Sequence, residues 1–217
     1  MQRVTGYMRK AITEFQMIEN GDRIAVGVSG GKDSVALLTG LHLLRRFIGI
    51  DYEIVALTLD PGFNGQETDY SAIAALCAQY DIPYEVRRTQ IGKIVFNERK
   101  EKHPCSLCAR LRRGALHDAA RELSCNKLAL GHHYNDVVET FMMNLFNEGR
   151  IGCFAPVTYL SRKDLTMIRP LIFAPEKEIA AAVRRNALPV VKSVCPADGA
   201  TSREDMKTFL RERERED

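Results

Sequence analysis

The sequence predicts an α/β protein, a doubly wound parallel sheet flanked by helices and preceded by an N-terminal helix. Three observations predict it. Short apolar runs at 23–28, 52–59, 84–88, 126–130 and 167–169 alternate with helix-like segments at 34–47, 67–80, 106–123, 135–147 and 175–186, the pattern that builds βαβ units. A glycine turn joins the first run directly to its helix. No internal repeat or low-complexity linker interrupts the chain, and 217 residues suffice for one substantial domain.

Each element has its own signal. Residues 1–20 place Val4, Met8, Ala11, Ile12, Phe15 and Ile18 on one helical face, an amphipathic leading helix set before a domain spanning 21–217. The loops at 29–34 and 60–66 and the turn Gly131-His132-His133 each follow a strand. In a doubly wound sheet such loops open on one crevice at the strands' C-terminal ends, near the topological switch point. Residues 93–104 form a longer connection of the kind often used for function. The closing "REDMKTFLRERERED" reads as a helix with a solvated, charged face.

A hydrophobic content of 45% and a charged content of 27% are ordinary globular values and exclude disordered and fibrous classes. No apolar stretch approaches the ~18 residues of a membrane span, and the N-terminus lacks the apolar core of a signal peptide. The expectation is a cytoplasmic protein with no membrane partner. In a reducing compartment, a close pair among the six cysteines suits metal binding or redox chemistry better than a structural disulfide. The net charge is only +3, yet Arg87–Arg113 holds nine basic residues against Glu98 and Glu101, so basic character is concentrated in one segment.

The stretch "AVGVSGGKDS" at 25–34 combines a buried strand, a sharp turn at Gly30-Gly31 and a helix start at Ser34. That junction aims free backbone N–H groups and the positive end of a helix dipole at one point, where an anion can sit, and Lys32 adds a full charge. The P-loop pattern requires a glycine at position 26 and Ser or Thr at 33; Val26 and Asp33 stand there instead. Asp33 is placed to share a Mg2+ ion with a polyphosphate, and Asp136 could complete that site through water.

Cys105 and Cys108 form a C-x-x-C pair at a helix start beside Arg110, Arg112 and Arg113, whose charge favours thiolates. Two readings stay open, metal ligation and a redox pair. For ligation the best third donor is Cys195, in a loop before Pro196. Cys77 and Cys125 read as small core residues, and Cys153 is undecided. In "LALGHHYNDVVETF" a strand ends at Gly131, and two histidines and Asp136 then reach the crevice edge.

Together "SGGKDS", "CSLCARLRRG", "ALGHHYND", "IRPL" with a following "EKEI", and Cys195 in "VVKSVCPADG" resemble the PP-loop ATP pyrophosphatases, in particular the tRNA 2-thiocytidine synthetase branch. The resemblance runs from about Gly21 to Lys207. It implies a HUP-like PP-loop domain in which ATP activates a base carbonyl oxygen as an adenylate, pyrophosphate leaves, and sulfur displaces AMP. By this likeness ATP binds at Ser29, Gly30, Gly31, Lys32, Asp33, Ser34, Asp60, Gly131 and His132, with Lys32, Asp33, Asp136 and Arg112 in catalysis. It also implies a 4Fe-4S cluster on Cys105, Cys108 and Cys195, with one iron free of protein ligands to carry sulfur. The implied partners are tRNA, held by the basic segment, and a sulfur donor that the sequence does not name; a homodimer is one assembly it allows. A loop used for adenylation should grip the β and γ phosphates as leaving pyrophosphate, and "SGGKDS" fits that task.

The sequence departs from the branch at Asn135-Asp136, where adjacent acids are usual, and at Cys195, which stands without a paired cysteine. It also ends about 22 residues beyond Cys195, short of typical members. The short tail favours one rival, a PP-loop sulfurtransferase acting on a small acceptor. The other rival is a non-catalytic nucleotide-binding sensor whose cysteines hold zinc or a redox-responsive cluster.

Overall fold

Helix α1 (Gln2–Glu14) buries Val4, Met8, Ala11 and Ile12 along one face. A computed structural model describes residues 1–65, 67–99, 104–192, 194–197 and 202–216. The helix stops six residues short of the expected boundary at Asn20, because Gln16 turns left-handed (φ 48°) and the Met17 N–H reaches back to the Ile12 carbonyl. This is a Schellman-type end. Met17 and Ile18 still enter the core, but from a loop, so the helical spacing of apolar residues outlasts the helix.

Six strands follow: β1 (Asp22–Gly27), β2 (Tyr52–Asp60), β3 (Tyr84–Arg88), β4 (Lys127–Ala129), β5 (Val157–Leu160) and β6 (Leu165–Ile168). Their order is β3-β2-β1-β4-β6-β5, parallel throughout except for the β5–β6 pair. The sheet is therefore mixed, not purely parallel. Strand β5 was not expected from sequence: it has four residues at an edge, none fully buried, too few for a period-two signal.

Alternation of side chains builds two cores. Ile24, Val26, Ile54, Ala56 and Ala129 face one side, with α1, α2 (Lys32–Leu44), α3 (Ser71–Gln79) and α6 (Glu176–Arg185). Ala25, Val55, Leu57 and Leu128 face the other, under α4 (Pro104–Glu122). Cys77 and Cys125 are fully buried in these two cores, as expected. The region 93–104 contains a π-helical turn, Lys93–Glu98, where a plain connection was expected; Lys100 and Lys102 of the basic segment lie outside the described residues, as does Asp198 beyond Cys195.

The chain winds outward through β2 and β3, then returns to β4 on the opposite side of β1. The β1/β4 boundary is thus the switch point. Helices α5 (Tyr134–Glu148) and α7 (Ser202–Glu216) pack on one another near that end. No helix among the described residues is long and apolar enough to cross a membrane.

Candidate active site

At the end of β1 the chain turns through Ser29, Gly30 and Gly31 into α2. Gly30 has φ +86°, and a Cβ there would stand 2.8 Å from the Cβ of Val191, whose N–H donates to the Gly30 carbonyl at 2.9 Å. Only glycine meets both demands. Ser34 locks the turn: its Oγ donates to the Gly31 carbonyl (2.9 Å) and accepts from the Ser29 N–H (3.1 Å). Gly31 caps α2 without any side-chain acceptor, which leaves the N–H groups of the first turn for an anion.

Beside this turn lies a cavity of about 400 Å³ at the switch point, walled by Ser29, Asp33 and Ser34, by Gly131 and His132, and by Arg112, Arg113 and His117 of α4. The turn after β4 approaches α2 so closely that a Cβ on Gly131 would lie 3.1 Å from the Asp33 carbonyl carbon and 3.2 Å from Ser34 N. That contact explains the glycine. Of the three loops expected to share a crevice, those at 29–34 and 131–132 do. None of the described residues 60–65 lines the cavity: Asp60 is buried, and its carboxylate accepts from the N–H groups of Gly62 (3.0 Å) and Thr68 (3.3 Å). Asp60 shapes its own loop.

Lys32 Nζ stands 2.9 Å from Asp33 Oδ2 and 3.0 Å from Glu176 Oε1. Burial opposes its charge, but these two carboxylates raise its pKa above the ordinary lysine value. Asp33 Oδ1 is buried without a hydrogen-bond donor, and His133 Nε2 faces it at 3.8 Å. An orphaned carboxylate oxygen beside an anion site suits a Mg2+ ion.

His133 caps α5. Its Nδ1 accepts from the Asp136 N–H (3.3 Å), while Asp136 Oδ2 accepts from the His133 N–H (2.9 Å). This bonding assigns the ring proton to Nε2, on the side of Asp33. Asp136 Oδ1 accepts from Arg203 Nη1 at 2.6 Å, so both Asp136 oxygens are engaged, and a metal contact there would compete with Arg203. His132 is held neutral: burial pushes its pKa down to about 4, and its ring lies 5.0 Å from that of Phe154.

The cysteines occupy the neighbouring end of α4. Cys105 is exposed, Cys108 is buried, and Cys195 packs onto the apolar cluster of Leu59, Phe63, Ile91, Val95, Leu107 and Cys108. Cys105, Cys195 and Arg112 all lie within electrostatic reach of Cys108, so residues 87 positions apart in sequence meet beside one apolar cluster. Burial nevertheless pushes the Cys108 thiol upward, against the expectation that the arginines would dominate. Among the described residues no three or more His, Cys, Asp or Glu side chains converge tightly enough for a single ion. Two sulfur donors on an apolar cluster, with the exposed Cys105 one turn from Cys108, fit a larger thiolate-held group. Cys153 stands apart, donating to the Val137 carbonyl at 3.4 Å.

Four residues of the site were not expected from sequence, and His133, expected only at the crevice edge beside His132, caps α5 and faces Asp33. His117, nine-tenths buried with Nε2 unpartnered and lining the cavity, carried only helical spacing from Arg113 as a signal. Glu176, Arg203 and Lys207 belong to helices far along the chain.

A strand–glycine turn–helix whose uncapped N-terminus suits an anion without the kinase-type loop, set at the switch point of a doubly wound sheet, defines an α/β protein of the PP-loop class. The PP-loop domain model matches residues 5–213, and the chain belongs to that family. It is 41% identical over 217 residues to the tRNA-cytidine(32) 2-sulfurtransferase of Citrifermentans bemidjiense, covering 99% of this chain and 84% of that protein. The protein of the same name from Geobacter metallireducens is 43% identical over 210 residues, covering 95% and 81%. Among solved structures, the U34-tRNA thiolase NcsA from Methanococcus maripaludis, with its [4Fe-4S] cluster, superposes with a TM-score of 0.80 at 26% identity, covering 99% of this chain and 72% of that one. The NH3-dependent NAD synthetase of Campylobacter jejuni shares the fold at 17% identity and a TM-score of 0.52.

Proposed function

We propose that the protein is an ATP-dependent tRNA sulfurtransferase that forms 2-thiocytidine in a tRNA loop. One observation carries the reading: α4 bears the cysteine pair at its start and lines the nucleotide cavity one and two turns later through Arg112, Arg113 and His117, so activation and sulfur delivery share a wall. Similarity to the tRNA-cytidine(32) 2-sulfurtransferases supports the acceptor.

The loop N–H groups and Lys32 would hold the β and γ phosphates, and Asp33 Oδ1 would hold a Mg2+ ion, which would supply positive charge there. With those groups gripped as a leaving group, α-phosphorus becomes the electrophile for the cytosine O2. The O2–P bond forms as the P–O bond to pyrophosphate breaks. Sulfur from the donor then attacks C2, and the C–O bond breaks to release AMP. Cys105, Cys108 and Cys195 would hold a 4Fe-4S cluster, which when bound presents sulfur beside the cavity. Arg112, between the thiols and the cavity, would stabilise charge on the leaving adenylate. A tRNA acceptor is consistent with a cytoplasmic enzyme.

The test is nucleoside mass spectrometry of total tRNA from a deletion strain, with loss of 2-thiocytidine expected and restored by the wild-type gene. In vitro the nucleotide products should be AMP and pyrophosphate. ADP and phosphate would sink the mechanism.

A further inference from the structure

Helix α7 comes last in the chain, yet two of its cations reach the acids around the phosphate loop. Arg203 donates to Asp136 Oδ1 (2.6 Å) and, through Nη2, to Thr140 Oγ1 (3.1 Å). Lys207 Nζ stands 2.9 Å from Glu176 Oε1, the same oxygen that Lys32 Nζ approaches at 3.0 Å. Two lysines, 175 residues apart, share one carboxylate oxygen.

Glu176 is fixed from its own side as well. It opens α6, and its backbone N–H donates to Asn135 Oδ1 at 2.9 Å, which ties it to the first turn of α5. The side chain is largely buried, and although burial opposes its charge, hydrogen bonds from Lys207 and Lys32 bring its pKa down to about 2. Glu176 is therefore a permanent anion beside the place where a polyphosphate must bind. Alone it would hold Lys32 back from that anion.

We propose that Lys207 is a positioning residue for Lys32, acting through Glu176: it neutralises the shared carboxylate, so that Glu176 aims Lys32 at the phosphate loop without retaining it. The inference rests on the reading that this loop binds the polyphosphate of ATP. Lys207 acts through its contact with Glu176 and not as a ligand-binding group itself. Its effect should appear only while position 176 carries a negative charge.

A double-mutant cycle on the full-length protein tests this, with calorimetric binding of ATP and of inorganic tripolyphosphate in the presence of Mg2+. Lys207→Met should weaken binding of both probes about tenfold, the scale of a lost partly buried charge contact, and Lys207→Arg should restore most of it. In a Glu176→Gln background the same Lys207→Met change should alter affinity less than about twofold. An equal loss in both backgrounds, as simple unfolding of α7 would give, overturns the inference; so does no loss in the wild-type background. Wild-type protein that binds neither probe would overturn the nucleotide reading as well, whereas binding without dependence on Glu176 overturns this coupling alone.

Discussion

Lys32 meets two carboxylates before it meets a substrate, and that arrangement makes its role testable. Its charge and the orphaned Asp33 oxygen converge on the uncapped N-terminus of α2, where charge on the leaving pyrophosphate would grow. Lys32→Ala or Asp33→Ala should lower AMP and pyrophosphate formation by about 100-fold or more while circular dichroism stays unchanged. His132 belongs to the same scale through pH. Its folded pKa of about 4 lies below its unfolded value near 6.5, so between these the unfolded chain binds more protons and stability falls as pH drops. His42 and His117, also lowered by burial, add to that window. Glu176 acts further down: lowered to about 2, it contributes stability that is present above about 4.5 and lost as pH falls through 2. The thermal midpoint should therefore decline from pH 6.5 to 4, and His132→Asn should flatten part of that decline. A wild-type midpoint that is constant over that range would refute the assignment.

At the scale of elements, α4 does two jobs. Its first turn presents Cys105 and Cys108, and its later turns wall the cavity. Cys195 reaches the pair from a segment after α6, seated on the cluster built by Phe63, Ile91 and Val95. Serine at any of the three positions should lower iron bound after anaerobic reconstitution and stop thiolation. Cys77→Ala or Cys125→Ala should leave iron unchanged and cost about 1–3 kcal/mol, as for small packed side chains. Full iron in the Cys195→Ser protein would rule out that ligand and direct attention to Cys153. The C-x-x-C and its arginines were visible as a motif because one short stretch of a single helix, Cys105 to Arg113, contains them. The partnership with Cys195 was a matter of loop context, and the burial that raises Cys108 was not visible at all.

For the whole molecule, the question is where a polyanion rests. Within the basic segment, Arg87 pairs with Glu85 (3.3 Å) and Glu122 (3.1 Å), and Arg88 with Glu67 (2.9 Å), so part of the positive run is already matched by acids on the protein's own surface. Arg99 and Arg110 are exposed, and Arg112 and Arg113 turn to the cavity. Replacing Arg99, Lys100 and Lys102 together should reduce the slope of log affinity for unmodified tRNA against log salt by about 2 to 3 units. Arg112→Ala should lower turnover far more than tRNA affinity. An unchanged slope would show that these three residues make no phosphate contacts.

What the sequence determined by itself is whatever a contiguous stretch can specify. The strand–turn–helix at 25–34 needs neighbouring backbone N–H groups, so its glycines and Lys32 announce an anion site without help from the rest of the chain. The five apolar runs, alternating with helical segments, likewise announced the sheet. Tertiary structure decided everything that depends on meeting across the fold. It ended α1 at a left-handed Gln16, added the short edge strand β5, and turned Asp60 toward its own loop. It also brought His133 opposite Asp33 and set Lys207 on the carboxylate that holds Lys32. Periodicity records which face of an element is buried, but a hydrogen bond or ion pair between distant residues leaves no periodic trace. The glycine loop was therefore legible, and the charges that tune it were not.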